Sequence, residues 1–162
     1  MKRKSFLILI DGPIGSGKST TAKMLQMELY KKKRLSALIS LDSLKRIVYG
    51  YKIDNKAYVE LASNIGIAMA KEYLKRNMNV IVEKAFTREE FVNSFIKPLR
   101  KMTKILIYQL EAPFGLRVKR INKRELKRKD KKKLPVSKIK RNTKHYDKSK
   151  YREATIFDTS IP

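Results

Sequence analysis

Residues 6–21 read FLILIDGPIGSGKSTT, and the order of residue types in this stretch decides the fold. An apolar run, Phe6 to Ile10, stops at Asp11 and Gly12, and then comes G-x-x-x-x-G-K-S, occupied by Gly12, Gly17, Lys18 and Ser19. Thr21-Ala22-Lys23-Met24-Leu25 reads as a helix. Strand, glycine loop and helix in that order are the setting that a nucleotide-phosphate loop requires. Glycines let the loop wrap with its backbone N–H groups pointing inward, where they cradle a β-phosphate. The following helix adds its N-terminal dipole and unpaired N–H groups. Lys18 can reach the β- and γ-phosphates, and the Ser19 hydroxyl can ligate Mg²⁺. Gly12, Pro13, Ile14, Gly15, Ser16, Gly17, Lys18, Ser19 and Thr20 are therefore the expected cradle for a nucleoside triphosphate. The bland alternative, a glycine turn before a core helix, does not account for four matched positions in this context.

At 162 residues the expectation is one domain, 1–162, with a real core. No apolar run approaches the roughly 18 residues of a membrane span. The basic-then-apolar start MKRKSFLILIDG mimics a signal peptide, but its apolar run ends in an acid and the glycine loop, so it reads as a first strand. Without cysteine there are no disulfides, thiolate zinc sites or thiol nucleophiles. A cytoplasmic setting is expected from the nucleotide. Forty Lys and Arg against fifteen Asp and Glu give +25. Lysine-rich thermophile proteins balance lysine with glutamate, and that balance is missing here. From Arg117 to Arg152, eighteen bases face three acids, a net +15 in 36 residues. A polyanionic partner, or a crowd of phosphates, is the natural suggestion.

Along the chain, strand-like runs at Phe6–Ile10, Ala37–Leu41, Val80–Val82, Ile105–Leu110 and Thr155–Phe157 alternate with helix patterns near 17–32, 56–76, 88–101 and 114–128. Thr87 and Glu90 have the spacing of a capping box for the third helix. Leu61, Ile65, Ala68, Met69 and Leu74 read as the core face of the second long helix. Short strands alternating with helices predict an α/β fold, a parallel sheet covered on both faces. The stretch Lys123 to Leu134 is dense in like charge and reads as mobile, part of a basic lid over about 117–145. Val136 to Lys144 can form another helix, and no helix is expected to cover the last strand.

In an open α/β sheet the working residues sit at the carboxyl ends of strands. Asp42, after the second strand, is placed to accept a proton from an attacking hydroxyl, or to cap the next helix. Arg46 can grip an acceptor's phosphate or lie on a solvated face. Glu83, ending the third strand, can stand behind a magnesium ion, touch the acceptor, or pair as a buried acid with Lys84 or Lys18. Arg117, Arg120, Arg124 and Arg128 share one helix face, which suits a lid closing over a triphosphate or a solvated basic face. Tyr49, Tyr51 and Tyr58, interleaved with Lys52 and Lys56, can stack a base or belong to core and surface. His145, the only histidine, reads as surface or acceptor contact.

Gly12-Pro13-Ile14-Gly15-Ser16-Gly17-Lys18-Ser19-Thr20, then Leu41-Asp42-Ser43-Leu44, Val80-Ile81-Val82-Glu83, Leu110-Glu111-Ala112-Pro113 and Asp158-Thr159-Ser160 resemble the small P-loop kinases that group chloramphenicol phosphotransferase, polynucleotide 5′-kinase and zeta-toxin-like enzymes. The resemblance implies a three-layer Rossmann-like fold with a five-stranded, mainly parallel sheet, and Mg·ATP as donor. It puts a general base at Asp42 and lid arginines at Arg120 and Arg124, less securely at Arg117 and Arg128. Polynucleotide kinases tend to carry arginine where this chain has Lys45, and deoxynucleoside kinases carry arginine where it has Lys84. The expected function is a kinase moving the γ-phosphoryl group to a hydroxyl or phosphate of a nucleotide-like or nucleic-acid acceptor. The alternatives are a nucleic-acid-binding ATPase with water as acceptor and a kinase of a small neutral metabolite.

Overall fold

The computed structural model describes residues 4–50, 56–86, 88–126, 134–146, 151 and 153–160. In chain order the elements are β1 (Phe6–Asp11), α1 (Lys18–Lys31), β2 (Ser36–Ser40), α2 (Leu41–Ile47), α3 (Lys56–Lys75), β3 (Asn79–Glu83), α4 (Glu89–Ile96), a 3-10 turn (Lys97–Leu99), β4 (Lys104–Glu111), α5 (Phe114–Leu126), α6 (Val136–Tyr146) and β5 (Ala154–Asp158). The five strands are all parallel, in the order β2-β3-β1-β4-β5.

Side chains alternate across a strand, so the apolar runs of β1 and β3 serve both faces of the sheet. Leu7, Leu9, Val80 and Val82 enter one core with Leu74, Val92, Phe95 and Ile96 from α3 and α4. Ile8, Ile10 and Ile81 enter the other, with Ala22 and Leu29 of α1. The edge strand β5 leaves Ile156 and Phe157 about half exposed.

The chain leaves β1 toward β2 on one side and leaves β3 toward β4 on the other. These two strands are neighbours, paired from Leu7–Val80 to Ile10–Glu83. A crevice therefore opens at their carboxyl ends, the topological switch point of an open parallel sheet. The glycine loop, Glu83 and Lys84 all lie there.

Three local readings are corrected. The core face of α3 is Ala62, Gly66, Ala70 and Leu74, whereas Leu61, Ile65 and Ala68 are exposed and Met69 only partly buried. Small residues every fourth position let α3 approach so closely that a Cβ on Gly66 would collide with Leu41 of α2. Close approach, not side-chain size, selects this face. The cap of α4 falls at Arg88, without a side-chain cap bond, so the helix starts later than a Thr87–Glu90 box requires; Thr87 itself lies outside the described residues. Helix geometry there changes to a 3-10 turn at Lys97, because Pro98 has no N–H to donate. Leu61→Ala should change unfolding free energy by no more than about 0.5 kcal/mol, and Leu74→Ala should cost about 2–5 kcal/mol. Urea titration of the two variants distinguishes the faces.

Candidate active site

The glycine loop spans the turn from β1 into α1. Gly15 has φ +85°, and a Cβ there would meet the Arg117 carbonyl at 2.9 Å. A Cβ on Gly12 would meet the Leu110 carbonyl at 2.6 Å, so the loop is pressed against the β4–α5 connection and tolerates only glycine at both points. Among the described residues no acceptor meets the backbone N–H groups of Gly15, Gly17, Lys18 or Ser19. Lys18 donates to the carbonyls of Gly12 (2.8 Å) and Pro13 (3.0 Å). Burial pulls its ammonium below the ordinary lysine range, Asp11, Glu83 and Asp42 oppose the shift, and Arg124 adds to it.

The loop is braced from beneath and behind. Asp11 is fully buried and accepts from the Gly12 N–H (2.7 Å), the Phe86 N–H (2.9 Å) and the Tyr151 hydroxyl (2.6 Å). Burial raises its carboxyl above the usual range, and these donors work against that shift. From α6, the Asn142 side-chain oxygen accepts the Ile14 N–H at 2.9 Å. Arg117 is buried and donates to Ala112 O (3.0 Å) and Thr143 Oγ1 (3.0 Å), tying α5 to α6. It is therefore a structural tie and is not aimed at a triphosphate, which corrects its place in the arginine row. Arg120 donates to the Thr159 hydroxyl (3.0 Å) and carbonyl. That hydroxyl lies 2.9 Å from Ser16 O and 3.0 Å from Glu111 O. The Arg120 guanidinium thus rests beside Gly17 at the start of α1. Arg124 is exposed and bonded to Glu125, yet near enough to act on Lys18. Arg128, Tyr51 and Lys52 lie outside the described residues.

Across the crevice, Asp42 sits in the first turn of α2, where Ser40 is the cap, so the capping role expected of Asp42 is not its own. Its Oδ1 pairs with Lys45 Nζ at 2.6 Å. Burial acts to raise the Asp42 carboxyl, but Lys45, with Lys18 and Lys84 behind it, outweighs burial and holds the group ionised below its ordinary range. Glu83 is buried and accepts from the Ser19 hydroxyl at 3.2 Å, pairing with neither Lys84 nor Lys18. Arg46 is exposed and turned toward Ser43 (3.4 Å), while Tyr49 is fully exposed and Tyr58 partly buried. Of the expected site, Lys18, Ser19, Asp42, Glu83, Arg120 and Arg124 gather around the crevice; Arg46, Tyr49 and Tyr58 do not close on it.

Lys84 entered the sequence reading only as a partner for Glu83 and as a departure from the deoxynucleoside kinase pattern, not as a site residue. It follows Glu83, is 7% exposed, and its Nζ lies 5.1 Å from the centre of the Phe86 ring. Burial, then repulsion from Lys45, pulls its ammonium down to about 8, against attraction from Asp42 and Asp11. Asn142 and Tyr151 were also missed, because their partners lie more than a hundred residues away in the sequence, and Thr159 was read only as part of a motif, without its contacts. Among the described residues no three acidic or histidine side chains cluster as metal ligands, and no helix is long and apolar enough to cross a membrane.

Two stability effects are expected. Tyr151→Phe leaves Asp11 one donor short and should cost about 1–3 kcal/mol in denaturant unfolding. Lys84 binds fewer protons folded than unfolded between about pH 8 and its ordinary value of 10.5, so its contribution becomes more favourable as pH rises through that window. Lys84→Met should therefore be more stable than the wild type at pH 7, with the difference closing by about pH 10.5. A thermal unfolding series over pH checks this.

Comparison with known proteins fits this geometry. A family model described as an AAA domain matches residues 7–149. Cytidylate kinase of Sulfolobus acidocaldarius is 32% identical in an alignment of 158 residues that covers 95% of this chain and 80% of that protein. Among solved structures, a chain of the Pnkp1/Rnl/Hen1 RNA repair complex superposes with a TM-score of 0.75 at 20% identity over 92% of this chain, which spans only 46% of that one. Chaetomium thermophilum Kti12 in complex with ADP-AlF3 superposes with a TM-score of 0.72 at 17% identity, covering 96% of this chain and 90% of Kti12. The loop, the parallel sheet and the length of these matches agree, and the chain belongs to the AAA-domain family and is a P-loop kinase.

Proposed function

We propose that this kinase transfers the γ-phosphoryl group of Mg·ATP, in the cytoplasm, to a nucleotide acceptor: a mononucleotide or the nucleotide at the end of a nucleic acid. The observation that carries the reading is the placement of Lys18 and Asp42 at the ends of neighbouring connections, on either side of β3, within electrostatic reach of each other. The cytidylate kinase relative, aligned over nearly the whole chain, favours a nucleotide on the acceptor side.

The residues present fit the donor. The N–H groups of Gly15, Gly17, Lys18 and Ser19 have no protein acceptor among the described residues and offer themselves to phosphate oxygens. Ser19, whose hydroxyl donates to Glu83, would hold Mg²⁺, and the ion would supply neutralisation of the phosphate charge. Lys18 exchanges its two carbonyl partners for β- and γ-oxygens. Arg120, held by Thr159 at the start of α1, and Arg124 neutralise charge on the group in transit. Asp42, kept ionised by Lys45, accepts the proton of an attacking hydroxyl. A phosphate acceptor brings its own negative oxygen, and Asp42 then orients its partner Lys45.

Transfer from γ-labelled ATP should mark one or more of CMP, the other nucleoside monophosphates and a 5′-hydroxyl oligonucleotide, and should not mark cytidine-free sugars. Labelling of a neutral metabolite with no nucleotide labelled would contradict the proposal, as would hydrolysis unchanged by any acceptor. Lys18→Ala should abolish transfer. Asp42→Asn should keep ATP affinity while slowing transfer to a hydroxyl about 10²–10⁴-fold. With a phosphate acceptor its effect should fall mainly on KM.

A further inference from the structure

We propose that the outer face of α1, where the chain turns toward β2, is a docking groove for an acidic amphipathic segment of a partner protein. The segment sets an apolar side chain in the groove and its carboxylates on the lysines around it. The surface lies away from the crevice, so this assignment is independent of what the acceptor is.

The pattern of α1 departs from that of an ordinary surface helix. A helix packed on a sheet turns its apolar residues inward and its polar residues outward. Ala22 and Leu29 do enter the core. Met24, Met27 and Tyr30, spaced by threes and so neighbours on one face, are instead 61%, 61% and 73% exposed. Leu35, in the connection to β2, is 63% exposed. Met27, Tyr30 and Leu35 together wall a groove of about 380 Å³. Single exposed apolar residues need no explanation, but a group of them around a concavity marks an interaction site. The polar groups of the lining are already engaged. Gln26 Nε2 donates to Ser36 O at 3.0 Å. Arg34 donates to Lys4 O and Asn79 Oδ1, both at 3.2 Å, with its guanidinium 4.5 Å from the centre of the Phe6 ring. The groove is thus preformed and offers apolar contact, and its thioether adapts to the shape of what enters.

Charge identifies the occupant. Between Lys18 and Leu41 stand six bases against one acid, Glu28, and Lys31 already holds that acid at 2.6 Å. Lys23 lies one helical turn before Met27, and Lys32 and Lys33 sit in the chain between Lys31 and Arg34, which line the groove. All three lysines are exposed, and among the described residues no carboxylate pairs with any of them. An apolar groove among unpaired lysines is complementary to an apolar anchor flanked by Asp or Glu. A second copy of this chain fits badly, since each copy carries +25. A concave site suits a protein side chain better than a flat bilayer does, and one tyrosine among aliphatic and thioether groups is a poor platform for successive bases. Met27 lies about 14 Å along the helix from Lys18, so a docked partner leaves the phosphate loop open.

The test uses protein with isotope-labelled methionine methyl groups. Met24 and Met27 report the groove, and Met69, Met78 and Met102 report the rest of the fold. The probe is a synthetic amphipathic peptide with leucine and phenylalanine on one helix face and glutamate on the other. It should shift the Met24 and Met27 methyl signals saturably, with a Kd of about 100 μM or tighter, and leave the others unmoved. A scrambled peptide, and the same peptide with lysine for glutamate, should bind about tenfold more weakly or worse. Met27→Ser and Tyr30→Ser should each weaken binding about tenfold. Lys32→Gln combined with Lys33→Gln should weaken it about threefold and flatten its salt dependence. All these variants should bind ADP as the wild type does and melt within about 2 °C of it, because the altered side chains are exposed. Unmoved Met24 and Met27 signals would overturn the groove, as would equal binding by the control peptides or by the variants. Larger shifts of these two signals on raising protein concentration alone, or on adding phosphatidylglycerol vesicles or oligouridylate, would give the face to a second copy, a membrane or RNA and equally overturn the proposal.

Discussion

Everything in the crevice depends on one buried carboxylate. Asp11 ends the central strand, and its two oxygens collect a donor from the glycine loop, a donor from the chain leaving β3, and the Tyr151 hydroxyl from the segment before β5. Three parts of the chain far apart in sequence are thereby held at the carboxyl ends of β1 and β3. Hydrogen bonds to a buried charged group are among the stronger ones, and each is expensive to leave unmade. The loop's shape follows from this anchor together with the pressure of Leu110 and Arg117 against Gly12 and Gly15, and the Asn142 contact from α6 closes the frame. The region read from sequence as a lid is, in its described part, largely a brace: Arg117 and Asn142 face the scaffold, and Arg120 and Arg124 remain toward the loop.

Much of this was legible in the residues. The phosphate loop, the alternation of strands and helices, and the placement of Asp42 and Glu83 at strand ends follow from local patterns, because loop and strand chemistry act over a few residues. What sequence missed was set by tertiary approach. The α3 face turned toward Ala62, Gly66 and Ala70 because a close helix crossing outweighs the attraction of larger side chains, and periodicity alone counts only size and polarity. The arginine row shares a helix face by spacing, yet Arg117 lies one turn deeper, where α5 meets α6, and burial there changes its work. The ion pair of Asp42 with Lys45 was readable from its spacing of three on a helix. Lys84 was not, since nothing local reveals that its neighbours' charges are already spent.

The charge of the chain takes on meaning at this scale. A net +25 spread over a surface says only that anions are attracted. In the crevice the same excess is organised along the strand ends: Lys18 and Arg120 stand at the loop after β1, Lys84 follows β3, and Lys45, paired with Asp42, follows β2. A site that must hold two sets of phosphates a bond length from reaction needs cations on both sides of the transferring group, because unscreened like charges would keep donor and acceptor apart.

The central claim is that the phosphoryl group passes from the loop to a nucleotide at Asp42 rather than to water. Trapping with Mg·ADP and aluminium fluoride tests it most directly, because a planar phosphoryl mimic is held tightly only when the attacking group is in place. Retention of labelled ADP should rise about 100-fold or more when the acceptor nucleotide is added, and the increase should vanish in Asp42→Asn. Equally tight retention with no nucleotide present would mean that water is the acceptor and would contradict the account.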